Sequence, residues 1–269
     1  MVQRRGTTAQ RLRVAGTFIR IGALNEMQYR MNFFLQVLQS LVALGTAAAV
    51  IALVFQYTTQ LGGWTPYELL VVLGIHVMLG GVIQAIIQPN MQRLMDDIRE
   101  GKLDHLLLKP EDAQLLVSVR LFSLWKLVDV VLGLGVVGFA MTGLSEFVGW
   151  FEVAGFVLTI GLGAVIIYCF WLIITTGAFW VVRMEQVAEL FNGLYQAGRW
   201  PTTLYPGWLR VGFTVLVPLA FAITVPAQAL TARIGIPMLA MSVGFTALLV
   251  AFTRWFWRTG LRNYSGASA

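Results

Sequence analysis

Few side chains in this sequence could do chemistry, and their spacing excludes most of it. The two histidines, His76 and His105, have no nearby cluster of Cys, Asp or Glu at metal-ligand spacing. The single cysteine, Cys169, stands in an apolar run and reads as a small buried hydrophobe. No Gly-x-Ser-x-Gly elbow occurs. The one Gly-Lys pair, Gly101–Lys102, fails as a phosphate-binding loop. Leu103 stands where Ser or Thr would hold magnesium, and Asp96 where the first glycine belongs. We therefore expect no catalytic, metal or cofactor-binding residue, and no ATP hydrolysis by the chain itself. Lys126 and Asp129, three apart on one helix face, are expected to form an interfacial ion pair, and His76 to serve as a hydrogen-bonding residue between helices.

Charge is concentrated in one place. The stretch PNMQRLMDDIREGKLDHLLLKPED, residues 89–112, carries ten charged residues. Pro89 and Asn90 can start a helix. Met91, Leu94, Met95 and Ile98 then recur at i, i+3, i+4 and i+7, which is one continuous apolar stripe. Gly101 is a plausible C-terminal cap, and a short second turn follows through Leu103, Leu106 and Leu107. A short, densely charged helix with one apolar stripe is built to dock. The stripe packs either back on its own bundle and headgroups or into a groove on a soluble partner.

The elements that must carry this segment are long and apolar. The 269 residues are 58% hydrophobic and 12% charged, with a mean hydropathy of +0.74, against roughly 25% charged residues in soluble domains. That composition excludes a disordered chain, a disulfide scaffold and, despite a formal charge of +6, a nucleic-acid-binding domain. Six apolar segments approach the roughly 20 residues that span a bilayer. They are Phe33–Phe55, Leu69–Ile87, Leu127–Leu144 with a helical lead-in from Leu115, Val153–Val182, Val211–Leu230 and Ile236–Phe252. The fold class is thus an all-α integral membrane protein with six transmembrane helices. No cleavable signal is expected, because the first apolar run begins well after Arg4 and Arg5 and is too long. With the N-terminus inside, eighteen of the nineteen Lys and Arg residues face the cytoplasm and Arg233 alone lies outside. Both termini are then cytoplasmic.

Two stretches leave alternatives open. RLRVAGTFIRIGALNEMQYR places Val14, Phe18, Ile21 and Leu24 at helical spacing. It reads as an N-terminal interfacial helix among anionic headgroups, or as an unstructured basic leader. Five of the eight prolines, Pro201, Pro206, Pro218, Pro226 and Pro237, fall just before the last span. Val211–Leu230 is accordingly a kinked span, the reading we favour, or a re-entrant pair of half-helices after a more polar span near Ala188–Tyr205. Glycines such as Gly80, Gly81, Gly133, Gly135, Gly161 and Gly163 allow close helix approach.

Several stretches carry a resemblance. Asn25–Phe34 (NEMQYRMNFF), Asp97–Pro110 (DIREGKLDHLLLKP), Arg199–Tyr205 (RWPTTLY), Pro218–Leu230 (PLAFAITVPAQAL) and Leu261–Ala267 (LRNYSGA) are similar to the six-span bacterial branch of the type-2 ATP-binding-cassette exporter permeases. The resemblance covers nearly the whole chain and is most specific over Ile98–Pro110. It implies a membrane subunit that dimerises with a second copy or a similar permease, with the substrate path between them. Two separate ATPases would bind ATP and magnesium. The 89–112 segment would then be the coupling helix, with Met91, Leu94, Met95 and Ile98 as its docking stripe and Arg99, Glu100, Gly101, Leu103 and Asp104 as the matching signature. Residues 1–31 would form the cytoplasmic N-terminus with its interfacial helix, 32–258 the permease domain and 259–269 a cytoplasmic tail, in the bacterial inner membrane. The alternative function is a non-transporting scaffold that recruits a cytoplasmic partner; a membrane-embedded enzyme is disfavoured by the missing chemistry. A mostly apolar, charge-poor interior points to hydrophobic or amphipathic cargo.

Overall fold

The computed structural model describes residue 16 and residues 30–109, 112–144, 148–181 and 184–264. The expected interfacial helix through Val14, Phe18, Ile21 and Leu24 lies outside the described residues, as does Pro110. Among the described residues the chain is helical, with one isolated bridge between Leu61 and Trp64. Five helices there are long and apolar enough to cross a membrane: Met31–Val54, Pro66–Arg99, Leu124–Met141, Trp150–Phe179 and Ile236–Asn263.

Helix α1 runs over Arg30–Val54 and leaves most of its surface open, as a lipid-facing helix does. Helix α2 (Pro66–Val82) starts where Thr65 caps the backbone N–H of Glu68 while Glu68 accepts from the Thr65 N–H, with Pro66 in the first turn. It does not stop at Ile87, where the apolar segment ends. A π-turn at Ile83–Ile87 carries it directly into α3 (Gln88–Arg99), so the expected separate coupling helix is the continuation of the second span. Pro89 does not begin a helix; it sits inside one. Its ring supplies no N–H for the carbonyl of Ala85, and the N–H of Ser123 donates there instead at 2.8 Å. Asn90 is fully buried rather than capping. Its amide donates to the carbonyls of Ile86 and Leu121, and its side-chain oxygen accepts from the Leu121 N–H.

After the short helices α4 (Asp104–Leu107) and α5 (Ala113–Ser118), helix α6 (Leu127–Met141) returns against α2 in the most extensive packing of the molecule. Gly74 and Gly133 meet back to back there. A β-carbon on Gly133 would lie 2.5 Å from the Gly74 carbonyl oxygen. Gly81 and Gly163 likewise face backbone of other helices, whereas Gly135 and Gly161 touch nothing. Helix α7 (Trp150–Thr176) and helix α11 (Ile236–Arg262) pack side by side, and α11 runs well past the expected end of the last span.

The proline-rich stretch takes the reading that the sequence favoured less. Helix α8 (Met184–Ala197) lies antiparallel to the α2–α3 rod: Glu189 shares a cavity with Asp96 and Arg99, Tyr195 stacks on His76, and Thr203 reaches Trp64. The chain has then run the length of the bundle to the Trp64 end. There Arg210 donates to the carbonyl of Thr203. Helix α9 (Gly207–Val211) and a π-turn at Gly212–Leu216 lead inward, the chain breaks at Val217–Pro218, and a π-turn at Ala220–Thr224 leads into α10 (Val225–Leu230). Ala222 lies on Gly163 and Phe221 stacks on Phe245, both in the middle of long helices, while Ala229 lies by Gly155 near the start of α7. Arg233 then pairs with Glu68 beside Trp64. The stretch thus enters and leaves at one end. This arrangement fits the re-entrant reading rather than the kinked span, because Arg210 and Arg233, at the two ends of the stretch, both lie at the Trp64 end. Arg210 accordingly joins Arg233 at that end, and Arg199 follows Gly198, which lies against His76 partway along the α2–α3 rod.

Candidate functional site

Two features of this bundle could carry function: the charged end of the α2–α3 rod and a polar groove beside its π-turn. At the charged end, Glu100 ends α3 and Gly101 follows with φ +69°, the left-handed conformation that glycine adopts without strain. The N–H of Lys102 donates to the carbonyl of Asp97 and that of Gly101 to Ile98, a Schellman cap at the position expected for Gly101. Arg99 pairs with Asp96 at 3.4 Å and Lys102 with Glu100 at 2.5 Å; these four side chains are half-buried or exposed. The bond and charge of Lys102 hold the Glu100 carboxyl below its ordinary value.

The stripe behaves differently. Met91, Leu94 and Met95 are at most 3% exposed and belong to the core of the same chain. Ile98 is half-buried against that core, and Leu103 is fully buried. The side of α3 that the sequence offers to a partner is therefore covered by the protein itself. Asp97, 3% exposed, lies beneath the turn and pairs with Arg120 at 2.5 Å and Arg93 at 3.2 Å. The exposed apolar side chain at this end is Leu108, 83% accessible, with Leu107 partly exposed beside it. The run Leu106-Leu107-Leu108 was the available signal, since three successive helical residues cannot all face one core.

The segment is tied to the last long helix. Asp112 caps α5 by accepting from the N–H groups of Gln114 and Leu115, and pairs with Arg254 of α11 at 2.6 Å. Burial pushes the Asp112 carboxyl up, but the Arg254 hydrogen bond and charge, with the two N–H groups, outweigh it and hold the pKa below the ordinary value. A carboxyl with a depressed folded-state pKa stabilises the fold above its unfolded value, and that contribution is lost as pH falls through the folded value. The melting-temperature difference between wild type and Arg254→Gln is therefore expected to be largest near neutral pH and to close in acid. A difference independent of pH would remove the ion pair from the account.

The groove has a volume of about 430 Å³ and lies between α1, the α2–α3 rod, the start of α6 and α8. Amide side chains dominate its polar wall: Gln36 and Gln39 on α1, Gln84 and Gln88 along the rod, Asn192 and Gln196 on α8. Lys126, Asp129 and Arg199 add charge. The expected Lys126–Asp129 ion pair does not form among the described residues; Asp129 accepts from Gln36 at 3.4 Å instead. His76 does bond between helices, but through its carbonyl, which accepts from the Tyr195 hydroxyl at 2.7 Å. Its Nδ1 is buried without a hydrogen-bond partner.

A family model described as "ABC-2 family transporter protein" matches residues 41–268, most of the chain, including the charged end and all of the groove but its first residues on α1. The chain belongs to the ABC-2 transporter family. No curated protein and no solved structure gives a match. As an ABC-2 protein it is a multi-pass membrane component of a transport system, in a family that partners in general with ABC ATPase subunits and is generally not itself catalytic. Within this ABC-2 chain, the residues singled out from the sequence divide in two. Arg99, Glu100, Gly101 and Asp104 lie in or beside the exposed turn, and Met91, Leu94, Met95 and Leu103 lie beneath it. The groove went unseen because its residues come from four separate elements and are individually unremarkable in type.

Proposed function

We propose that this protein is the permease subunit of an ATP-driven exporter in the bacterial inner membrane, working as a dimer and coupled to separate ATPases through residues 89–112. Met184–Leu204 is the fifth of six crossings, and both termini are cytoplasmic. The observation that carries the reading is the construction of the charged end. A turn with Arg99, Glu100 and Lys102 exposed is rigidly continuous with a membrane-spanning rod and braced from below by Asp97 and Arg120. A push on such a turn moves the rod as a body, which is what an external ATPase needs from a permease. The buried stripe of Met91, Leu94 and Met95 anchors the lever, Arg99, Glu100 and Asp104 supply charge complementarity, and Leu108 is the apolar contact on the ATPase. One chain provides half of a two-fold pathway, and closed two-fold assembly is the commonest oligomer.

Co-expression with a candidate ABC ATPase from the same genome and affinity capture test this. Leu108→Asp would place a carboxylate in the contact, and we expect at least a tenfold loss of captured ATPase, since an unpaired buried charge costs several kcal/mol. The melting temperature should stay near that of wild type because Leu108 is exposed. Undiminished capture by both Leu108→Asp and Glu100→Lys would reject the coupling assignment. Capture without any ATP turnover would leave a recruiting scaffold in its place.

A further inference from the structure

The polar groove raises a question that the exporter reading does not answer: what neutralises it. His76 is the eleventh residue of α2, so the groove beside it lies about 15 Å along the helix from Pro66 at 1.5 Å per residue, near mid-membrane depth. Gly198 packs on the His76 ring and places Arg199 at this level, where it lines the groove. No ion-pair partner meets Arg199 or Lys126 among the described residues, and Asp129 is the one carboxylate in the lining. An ionisable group at membrane depth is costly and is paired or lines a water-filled cavity. Here the lining carries one positive charge in excess and several amide donors. His76, 6% exposed, adds an unpartnered ring nitrogen, and its ring is held by stacking on Tyr195 at 4.6 Å.

We propose that this groove is the cargo site and that it takes molecules bearing an anionic, oxygen-rich headgroup of the phosphate-ester type, drawn in by the two cations that line it, Arg199 and Lys126. The proposal rests on the exporter reading and adds the class of cargo. Guanidinium and ammonium groups form strong charge-assisted hydrogen bonds to phosphate oxygens, and the amides serve the remaining acceptors. Toward the Trp64 end the lining turns apolar, through Ala43, Leu44, Ala47, Leu73 and Val77. An alkyl chain fits there. The expectation of hydrophobic or amphipathic cargo is thereby narrowed to an amphiphile with a negatively charged head.

Binding can be read on the full-length chain in maltoside micelles without ATP or ATPase, so that its outcome is separate from any failure of coupling. Titration with dodecyl phosphate should give a saturable rise in melting temperature, and dodecyltrimethylammonium should give none. Arg199→Gln and Lys126→Gln should each weaken the apparent affinity about tenfold or more, the size of one lost charge-assisted hydrogen bond. Arg258→Gln, an exposed arginine outside the groove, should leave it unchanged. If Arg199→Gln does not fold, Lys126→Gln and His76→Phe, which keeps the stacking and removes Nδ1, make the same test. Inorganic phosphate tested alone separates the sources: a shift that also depends on Arg199 supports the anion site and assigns it a soluble anion. Equal response to the cationic and anionic amphiphiles, or a dodecyl phosphate response indifferent to all three groove substitutions, overturns the proposal.

Discussion

Replacing Gly133 by alanine is expected to lower the melting temperature of the solubilised protein sharply, and Gly133→Leu to prevent folded protein from accumulating. The β-carbon has nowhere to go. It would lie 2.5 Å from the carbonyl oxygen of Gly74 and 2.6 Å from the backbone nitrogen of Met78, so no side-chain rotation relieves it. Helices α2 and α6 must separate, and their seam is the most extensive contact in the molecule. Overpacking a tight site costs about 1–3 kcal/mol even where side chains can adjust, and here backbone must move. The same substitution at Gly135, two residues on, meets nothing within 4 Å. Gly135→Ala should therefore melt with wild type. Matching melting curves for the two alanine variants would show that the helices do not approach as described.

The second large effect is expected at Asp97. Its side chain is 4% exposed, and that of Arg120 is 18% exposed. Removing one member of a buried ion pair leaves the other charge uncompensated, at a cost of about 3–5 kcal/mol. Asp97→Leu should thus destabilise strongly, and Arg120→Met somewhat less, because Arg120 is the more exposed of the two and can reach water. The double replacement Asp97→Leu with Arg120→Met leaves no stranded charge between them and should recover much of the stability. Thermal unfolding of the two single variants and the double one forms a cycle whose coupling energy is the measured quantity. Additive losses would mean that the pair contributes nothing beyond its separate members.

What the sequence revealed about this fold depended on which solvent each helix meets. The five long helices were legible because lipid demands a run of apolar residues, and Phe33–Phe55 or Ile236–Phe252 can hardly be anything else. Helix α8 was obscured because Glu189, Asn192, Gln196 and Arg199 face cavities rather than lipid, which lowers its hydropathy below that of a span. The half-helix Val225–Leu230 misled in the opposite direction: it is apolar because α7 covers it, and composition alone cannot tell such a covered piece from part of a span. The stripe Met91–Ile98 showed a face that must be covered, but periodicity cannot say by which body. Leu108 escaped notice because the run Leu106-Leu107-Leu108 shows that one leucine must face outward without saying which. The resemblance drew attention to the charged turn while saying nothing of the groove, whose members meet only in three dimensions.

The π-turn at Ile83–Ile87 carries a consequence for how motion could pass along the rod. A π-turn holds one residue more than an α-helical turn, and an added residue advances every later side chain by about 100° around the axis. The azimuth of α3 is therefore keyed by this one surplus residue. With it, Asn90 meets Leu121 and Asp97 meets Arg120; without it, both would point a quarter-turn away. Gln84 belongs to the same five residues and lines the groove. Any tightening of that turn around an occupant would be transmitted outward as torque on the charged end, and torque applied there by a partner would arrive at the groove as a change of bore.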